Sequence, residues 1–224
     1  ASLAQSTTGQ FIVLKYECGR VTLHDEPSAV YRDVMLSSEV KAATFSNDEK
    51  LLFLGLSNGD IGVLDLDYES LFMFNQKMPS VESIVALGND TFATGHANGL
   101  IYTWNSNGEK LSSMKGEGGM VLTLDYDSGR DAIASGTIDG TVVVWKMNDA
   151  VPVLRNNGHA GAVRAVLFLE DGRLISGSDD DTLIVWDLSN NTHRKIETNH
   201  GGVMDVSSTG DVIATAGLDG VVRL

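Results

Sequence analysis

One pattern governs what this chain can become: a stretch of about a dozen residues that returns every forty or so. Ala134–Lys146 reads ASGTIDGTVVVWK and Ile175–Asp187 reads ISGSDDDTLIVWD. Ala93–Asn105 (ATGHANGLIYTWN), Leu54–Asp65 (LGLSNGDIGVLD), Lys15–Asp25 (KYECGRVTLHD) and Ala214–Leu224 (ATAGLDGVVRL) follow the same design. Overlaid, they align His24, Leu64, Trp104, Trp145 and Trp186, at intervals of 40, 40, 41 and 41 residues. A sixth equivalent would fall one residue beyond Leu224.

Each unit opens on an alternating apolar stretch such as Val81–Leu87 or Val163–Leu169. A polar turn (Asn89–Asp90, Asp171–Gly172) leads to a short strand ending in Ser-Gly or Thr-Gly. A tight turn (Asn58–Gly59, Asn98–Gly99, Asp139–Gly140, Asp219–Gly220) then leads to a β-branched strand and a polar stretch such as Thr192–Thr198. Asn-Gly and Asp-Gly between alternating strands favour hairpins, because the turn needs positive φ. Four antiparallel strands per forty residues describe a β-propeller blade, with no place for helices. Three prolines against 24 glycines suit such turns.

The repeats resemble the WD-repeat family. The likeness is carried by Trp186–Asp187 with its upstream SGSDDDTLIV, by ASGTIDGTVVVW before Lys146, and by Gly158–His159. It covers nearly the whole chain. The expected fold is all-β, a single domain over 1–224 with units at 1–37, 38–78, 79–117, 118–157, 158–199 and 200–224. That is about five and a half repeats, with an incomplete first unit and a sixth ending inside its third strand. Seven blades would need about 280 residues. The chain also begins at Ala1 without methionine. The expectation is therefore a fragment of a seven-bladed ring, or an open ring whose exposed strands recruit a neighbouring chain.

The resemblance also implies a buried hydrogen-bonded series of Trp, Ser or Thr, His and Asp in each blade. The fifth unit has every member: Trp186, Ser176, His159 and Asp180. A buried indole N–H needs an acceptor, so these residues read as structural. The fourth unit keeps Trp145, Ser135 and Asp139 but has Glu117 at the histidine position. The third has Trp104, Thr94 and Asn98, and the sixth Thr215, Asp219 and His200. The second has Leu54, Asn58 and Leu64 and must rest on apolar packing; the first has Leu14, Cys18 and His24. Stability is expected to be weakest toward the N-terminal units.

Catalytic chemistry finds little support. His24, His96, His159, His193 and His200 are scattered rather than clustered at metal-ligand spacing. Neither GxxxxGK[ST] nor GxSxG occurs. Asp125, Asp127, Gly129 and Asp131 imitate part of a calcium loop, yet they occupy a hairpin where Asp and Gly form turns. No catalytic residue, metal or cofactor is expected.

Composition narrows the partners. Sixteen basic residues against 30 acidic give a net charge of -14, which repels phosphate backbones and anionic lipid. Nucleic acid and membrane surfaces are therefore poor partners and are not expected, leaving proteins and peptides, basic ones included. The longest apolar run, Ala165–Leu169, is too short to span a bilayer, and the lone Cys18 fits a reducing compartment. An intracellular, cytoplasmic setting is expected.

WD-repeat proteins use one rim of the propeller, built from the start of the first strand and the position before the tight-turn Asp. Transferred here, the rim is Glu39, Lys41 and Ser57, then Ser80, Glu82 and Ala97. The later units contribute Met120, Leu122 and Ile138, then Ala162, Arg164 and Asp179, then Gly202, Met204 and Leu218. Met120, Leu122, Ile138, Met204 and Leu218 form an apolar set around Arg164 and Asp179, as a peptide-docking surface would. The expected function is a non-enzymatic scaffold or adaptor for protein partners. The alternatives are an architectural subunit whose open propeller a neighbour completes, and a propeller enzyme or sugar binder, for which this rim is too apolar.

Overall fold

The computed structural model describes residues 2–9, 11–15, 19–25, 28, 30–75, 77–116, 118–147, 149, 151–210 and 212–224. Cys18 and Glu117, assigned above to the first and fourth units, lie outside the described residues. Among those described, the regular elements are β-strands, arranged as six antiparallel sheets that follow one another along the chain.

The first sheet holds β1 (Ser2–Gln5), β2 (Phe11–Lys15), β3 (Arg20–Asp25) and β4 (Val30–Met35). The second holds β5 (Val40–Phe45), β6 (Leu51–Leu56), β7 (Ile61–Asp65) and β8 (Ser70–Phe74). The third holds β9 (Val81–Ala86), β10 (Thr91–His96), β11 (Leu100–Asn105) and β12 (Lys110–Lys115). The fourth holds β13 (Val121–Asp127), β14 (Ala132–Thr137), β15 (Val142–Lys146) and β16 (Pro152–Asn156). The fifth holds β17 (Val163–Phe168), β18 (Leu174–Ser178), β19 (Thr182–Asp187) and β20 (Thr192–Glu197). The sixth has three strands, β21 (Val203–Thr209), β22 (Val212–Gly217) and β23 (Val222–Arg223).

The first repeat, expected to be incomplete, is thus a four-stranded sheet. Its opening strand is only four residues long and pairs with β2 from Ser2↔Leu14 to Gln5↔Ile12. So short a strand carries too few alternations to show as a repeat.

The chain divides into two compact units, Ala1–Ala97 with Ile101–Ser113, and Asn98–Leu100 with Met114–Leu224. In the first, Val13, Leu23, Val40, Leu52, Leu54, Leu56 and Leu64 form one buried cluster. Leu54 and Leu64, at the serine and tryptophan positions, are fully or almost fully buried, so apolar packing fills the place of the polar series. A second cluster joins Phe53, Val81, Phe92 and Trp104, with Phe53 and Phe92 stacked at 4.4 Å between ring centres. In the second unit, Val142, Val144, Val163, Leu174, Ile184 and Trp186 pack together, and Ile175, Val203 and Val206 belong to a further cluster. Within each unit the first strand of one sheet packs on the first strand of the next, leaving the fourth strand as a free edge.

Close approach between neighbouring repeats sets the tight turns. Gly140 has φ +89°, and a Cβ there would lie 2.3 Å from the carbonyl oxygen of His159, so both conformation and space demand glycine.

Candidate functional site

Two local devices build the same end of each sheet from the second to the sixth. The register of the first strand slips once near its start, between Val40 and Ala42, Val81 and Ser83, Val121 and Thr123, Val163 and Ala165, and Val203 and Asp205. The extra residue at each bulge is Lys41, Glu82, Leu122, Arg164 or Met204. A bulge re-aims the side chain that alternation would otherwise turn along the sheet face. The second device is one backbone hydrogen bond, from Ser57 N to Glu39 O, Ala97 N to Ser80 O, Ile138 N to Met120 O, Asp179 N to Ala162 O, and Leu218 N to Gly202 O, at 2.8–3.0 Å. Each bond ties the residue before the tight-turn Asn or Asp to the residue just before the first strand. The three expected rim positions of the second to sixth repeats therefore sit on one bulge and one bond.

Among the rim residues of the second compact unit, Ile138, Met204 and Leu218 are 50%, 39% and 60% exposed, while Met120 and Leu122 are half-buried. Exposed apolar groups on a bulged, hydrogen-bonded frame are not there for the core. Arg164 and Asp179 face each other: Arg164 Nη2 donates to Asp179 Oδ2 at 2.7 Å and Nε donates to the same carboxylate at 2.9 and 3.0 Å. This forked pair neutralises the two charged members of the expected set. In the second repeat Lys41 Nζ likewise lies 3.1 Å from Glu39.

The sheets also hold buried polar series. In the fifth repeat Trp186 Nε1–H donates to Ser176 Oγ at 2.9 Å, and Ser176 Oγ lies 2.7 Å from His159 Nε2. His159 Nδ1 lies 3.1 Å from Asp180 Oδ1, which also accepts from the Thr182 hydroxyl at 2.6 Å. Asp180 takes the imidazole N–H, so Nε2 accepts from serine and serine accepts from the indole. Burial pushes Asp180 up, but bonds from Thr182, the Ala160 amide and His159 outweigh it and hold the carboxyl well below its usual range. Burial lowers His159 despite the Asp180 charge. In the sixth repeat His200 bridges Thr215 at 2.8 Å and Asp219 at 3.1 Å.

The third repeat contains a member that the sequence reading missed. Trp104 Nε1–H donates to Thr94 Oγ1 at 2.8 Å, Thr94 Oγ1 lies 2.9 Å from His96 Nε2, and His96 Nδ1–H donates to Pro79 O at 2.8 Å. The imidazole comes from β10 itself rather than from the loop before the sheet. The available signal was its place two residues after Thr94, on the same face of one strand. Burial lowers the His96 pKa. In the fourth repeat Asp139 accepts from the hydroxyls of Thr137 and Thr141 at 2.6 and 2.9 Å. Ser135 Oγ is buried there without a hydrogen-bond partner among the described residues.

The calcium-like run disperses. Asp127 accepts from Gly129 N at 2.8 Å, Asp131 from Tyr126 OH at 2.9 Å, and Asp125 from Phe168 N at 2.6 Å. Among the described residues, no group of three or more His, Cys, Asp and Glu side chains is placed to hold a metal ion. Asp125 instead joins the fourth sheet to the fifth, and burial raises its pKa. An acid raised on folding adds stability while protonated and loses it as pH climbs through the folded value. Asp125→Asn keeps an acceptor for Phe168 without the charge. It is expected to unfold at higher temperature than the parent at neutral pH, the gap closing as pH falls to about 4. A less stable Asn variant at neutral pH, in thermal scans across that range, would contradict this account.

Comparison with known proteins places these features in context. The family model for the WD domain, G-beta repeat, matches residues 108–146, 151–187 and 192–224. The WD repeat-containing protein 91 homolog of Dictyostelium discoideum is 28% identical over 165 residues, covering 67% of this chain and 21% of that protein. The ribosome biogenesis protein YTM1 of Eremothecium gossypii is 37% identical over 75 residues, covering 34% of this chain and 17% of that protein. The chain thus spans about a fifth or less of these relatives. A chain in the crystal structure of a mitotic checkpoint complex superposes with a TM-score of 0.88 at 18% identity, over 96% of this chain and 71% of that one, a likeness of fold alone.

Proposed function

We propose, for a chain that belongs to the WD-repeat family of β-propellers, a non-enzymatic adaptor role in which the rim of the last three repeats docks a protein or peptide. Proteins of this family are generally protein-interaction scaffolds and their fold is generally non-enzymatic. The observation that carries the reading is the exposure of Ile138, Met204 and Leu218, alongside an Arg164–Asp179 pair already neutralised within the chain. Recognition is then mainly apolar: a partner inserts hydrophobic side chains, and Met204 with its flexible thioether adapts to them. The net charge of -14 supports a protein partner over nucleic acid or membrane. No helix among the described residues is long and apolar enough to cross a membrane. An intracellular setting within a larger assembly is part of the proposal, supported by the relative named for ribosome biogenesis.

Burying one such side chain fully contributes about 1.5–3 kcal/mol, part of which offsets the cost of association. Leu122→Asp and Met204→Asp are each expected to weaken binding by at least about 2 kcal/mol, roughly thirtyfold. The test captures partners from cell lysate on the parent chain, identifies them, and titrates each against both variants after circular dichroism has established that they fold. Equal affinity for parent and variants would remove the rim from consideration.

A further inference from the structure

The fourth strand of each four-stranded sheet is an unpaired edge among the described residues, and free edges recruit other strands unless they are guarded. Four of the five described fourth strands carry a guard. β4 has Arg32 and Asp33, β12 has Lys110 and Lys115, β16 has Pro152 and Arg155, and β20 has Arg194, Lys195 and Glu197. β8 reads SLFMF and has neither a charge nor a proline. It also leaves Phe72 61% and Met73 40% exposed, with Tyr68 in the preceding turn 82% exposed. Leu71 and Phe74, by contrast, pack against the two clusters on either side of the second sheet. The strand is therefore held by the core through some side chains and offers others outward.

We propose that β8 is a self-association edge, pairing antiparallel with β8 of a second copy of this chain. A two-fold axis at Phe72 sets Phe72 against Phe72 of the copy, Leu71 against Met73, and Ser70 against Phe74, so no like charges meet within the strand. The same register carries Asp67, in the turn before the strand, toward Lys77 of the copy. A second copy thus supplies complementary charge at both ends of an uncharged strand. On the guarded edges, charges or proline would instead lie within the paired strands themselves.

Two chains of net charge -14 repel at long range, and salt screens that repulsion to within about 8 Å at physiological ionic strength. The overall repulsion outweighs the exposed charge contacts at the strand ends, which contribute little, so self-association through β8 strengthens as salt is raised. The test is sedimentation velocity of the whole chain up to concentrations on the order of 100 μM, at about 0.05 and 0.3 M salt. The expected result is a dimer that grows with concentration and with salt. Phe72→Lys should raise its dissociation constant at least about tenfold by placing two cations face to face. Phe72→Thr, which retains β-propensity without charge, should fall between, and circular dichroism verifies that both variants fold. Met204→Asp on the rim should leave the dimer unchanged, so failure here and failure of the docking role are distinguishable. A chain that stays monomeric throughout, or a dimer indifferent to Phe72→Lys, overturns the proposal. So does a monomeric chain that binds a fluorescein-labelled SLFMF peptide, since the edge would then serve foreign strands.

Discussion

Ser176→Ala is expected to lower the unfolding free energy by about 2–4 kcal/mol, and Ser135→Ala to leave it unchanged or raise it slightly. The two serines occupy the same position in successive repeats, and both are fully buried. Ser176 Oγ is the acceptor for the Trp186 indole and the donor to His159 Nε2. Alanine there leaves two buried polar groups unpaired, each at a desolvation cost of about 1–3 kcal/mol. The Ser135 hydroxyl has no partner among the described residues, so its removal relieves a buried polar atom. Urea denaturation of the parent and both variants measures the contrast. Equal losses at the two positions would mean that the serine matters for packing and not for its hydrogen bonds.

The second large effect concerns the glycine of the recurring Ser-Gly and Thr-Gly pairs. A Cβ at Gly136 would lie 2.4 Å from Val163 Cγ1 and 2.8 Å from Thr123 Cγ2. Gly177 stands in the same relation to Val203 at 2.6 Å, and Gly55 to Val81 at 2.3 Å. The glycine is thus a notch in the second strand of one repeat that receives the valine opening the first strand of the next. Gly136→Ala would ordinarily stabilise a strand by restricting the unfolded chain. Here overpacking should reverse the sign and cost about 2–3 kcal/mol. Val163→Ala alone should cost about 2 kcal/mol through the cavity it leaves. The double variant is expected to recover at least about 1 kcal/mol of the combined loss, because the new methyl occupies space the valine gave up. Strict additivity in thermal or urea unfolding would show that the two residues do not meet in solution.

Much of the architecture is written locally. The forty-residue period, the Asn-Gly and Asp-Gly turns and the alternation of Val163–Leu169 act over a few residues at a time. They suffice to specify antiparallel four-stranded sheets in series. The series of Trp186, Ser176, Asp180 and His159 was implied by the resemblance to the WD-repeat family. Leu54 and Leu64 announce an apolar substitute in the second repeat because nothing at those positions can donate or accept. The first strand, β1, was not legible, since four residues hold too little pattern.

What the chain alone could not show depends on residues brought together by packing. His96 joins Thr94 and Trp104 only because β10 turns both side chains to one face beside the Pro79 carbonyl. Asp125 passes in sequence for a turn or calcium residue, yet it accepts the Phe168 amide from the adjoining sheet. The bulges that re-aim Leu122, Arg164 and Met204 are invisible in alternation, because one extra residue changes which face a side chain takes without altering its type. The forked bond between Arg164 and Asp179 likewise turns two charges into a neutral pair. Strand and turn were determined by sequence because φ/ψ preference and alternation are properties of neighbouring residues. Bulge, notch and polar partner were decided by tertiary structure because they follow from how sheets approach one another, and close packing permits only particular side chains at each approach.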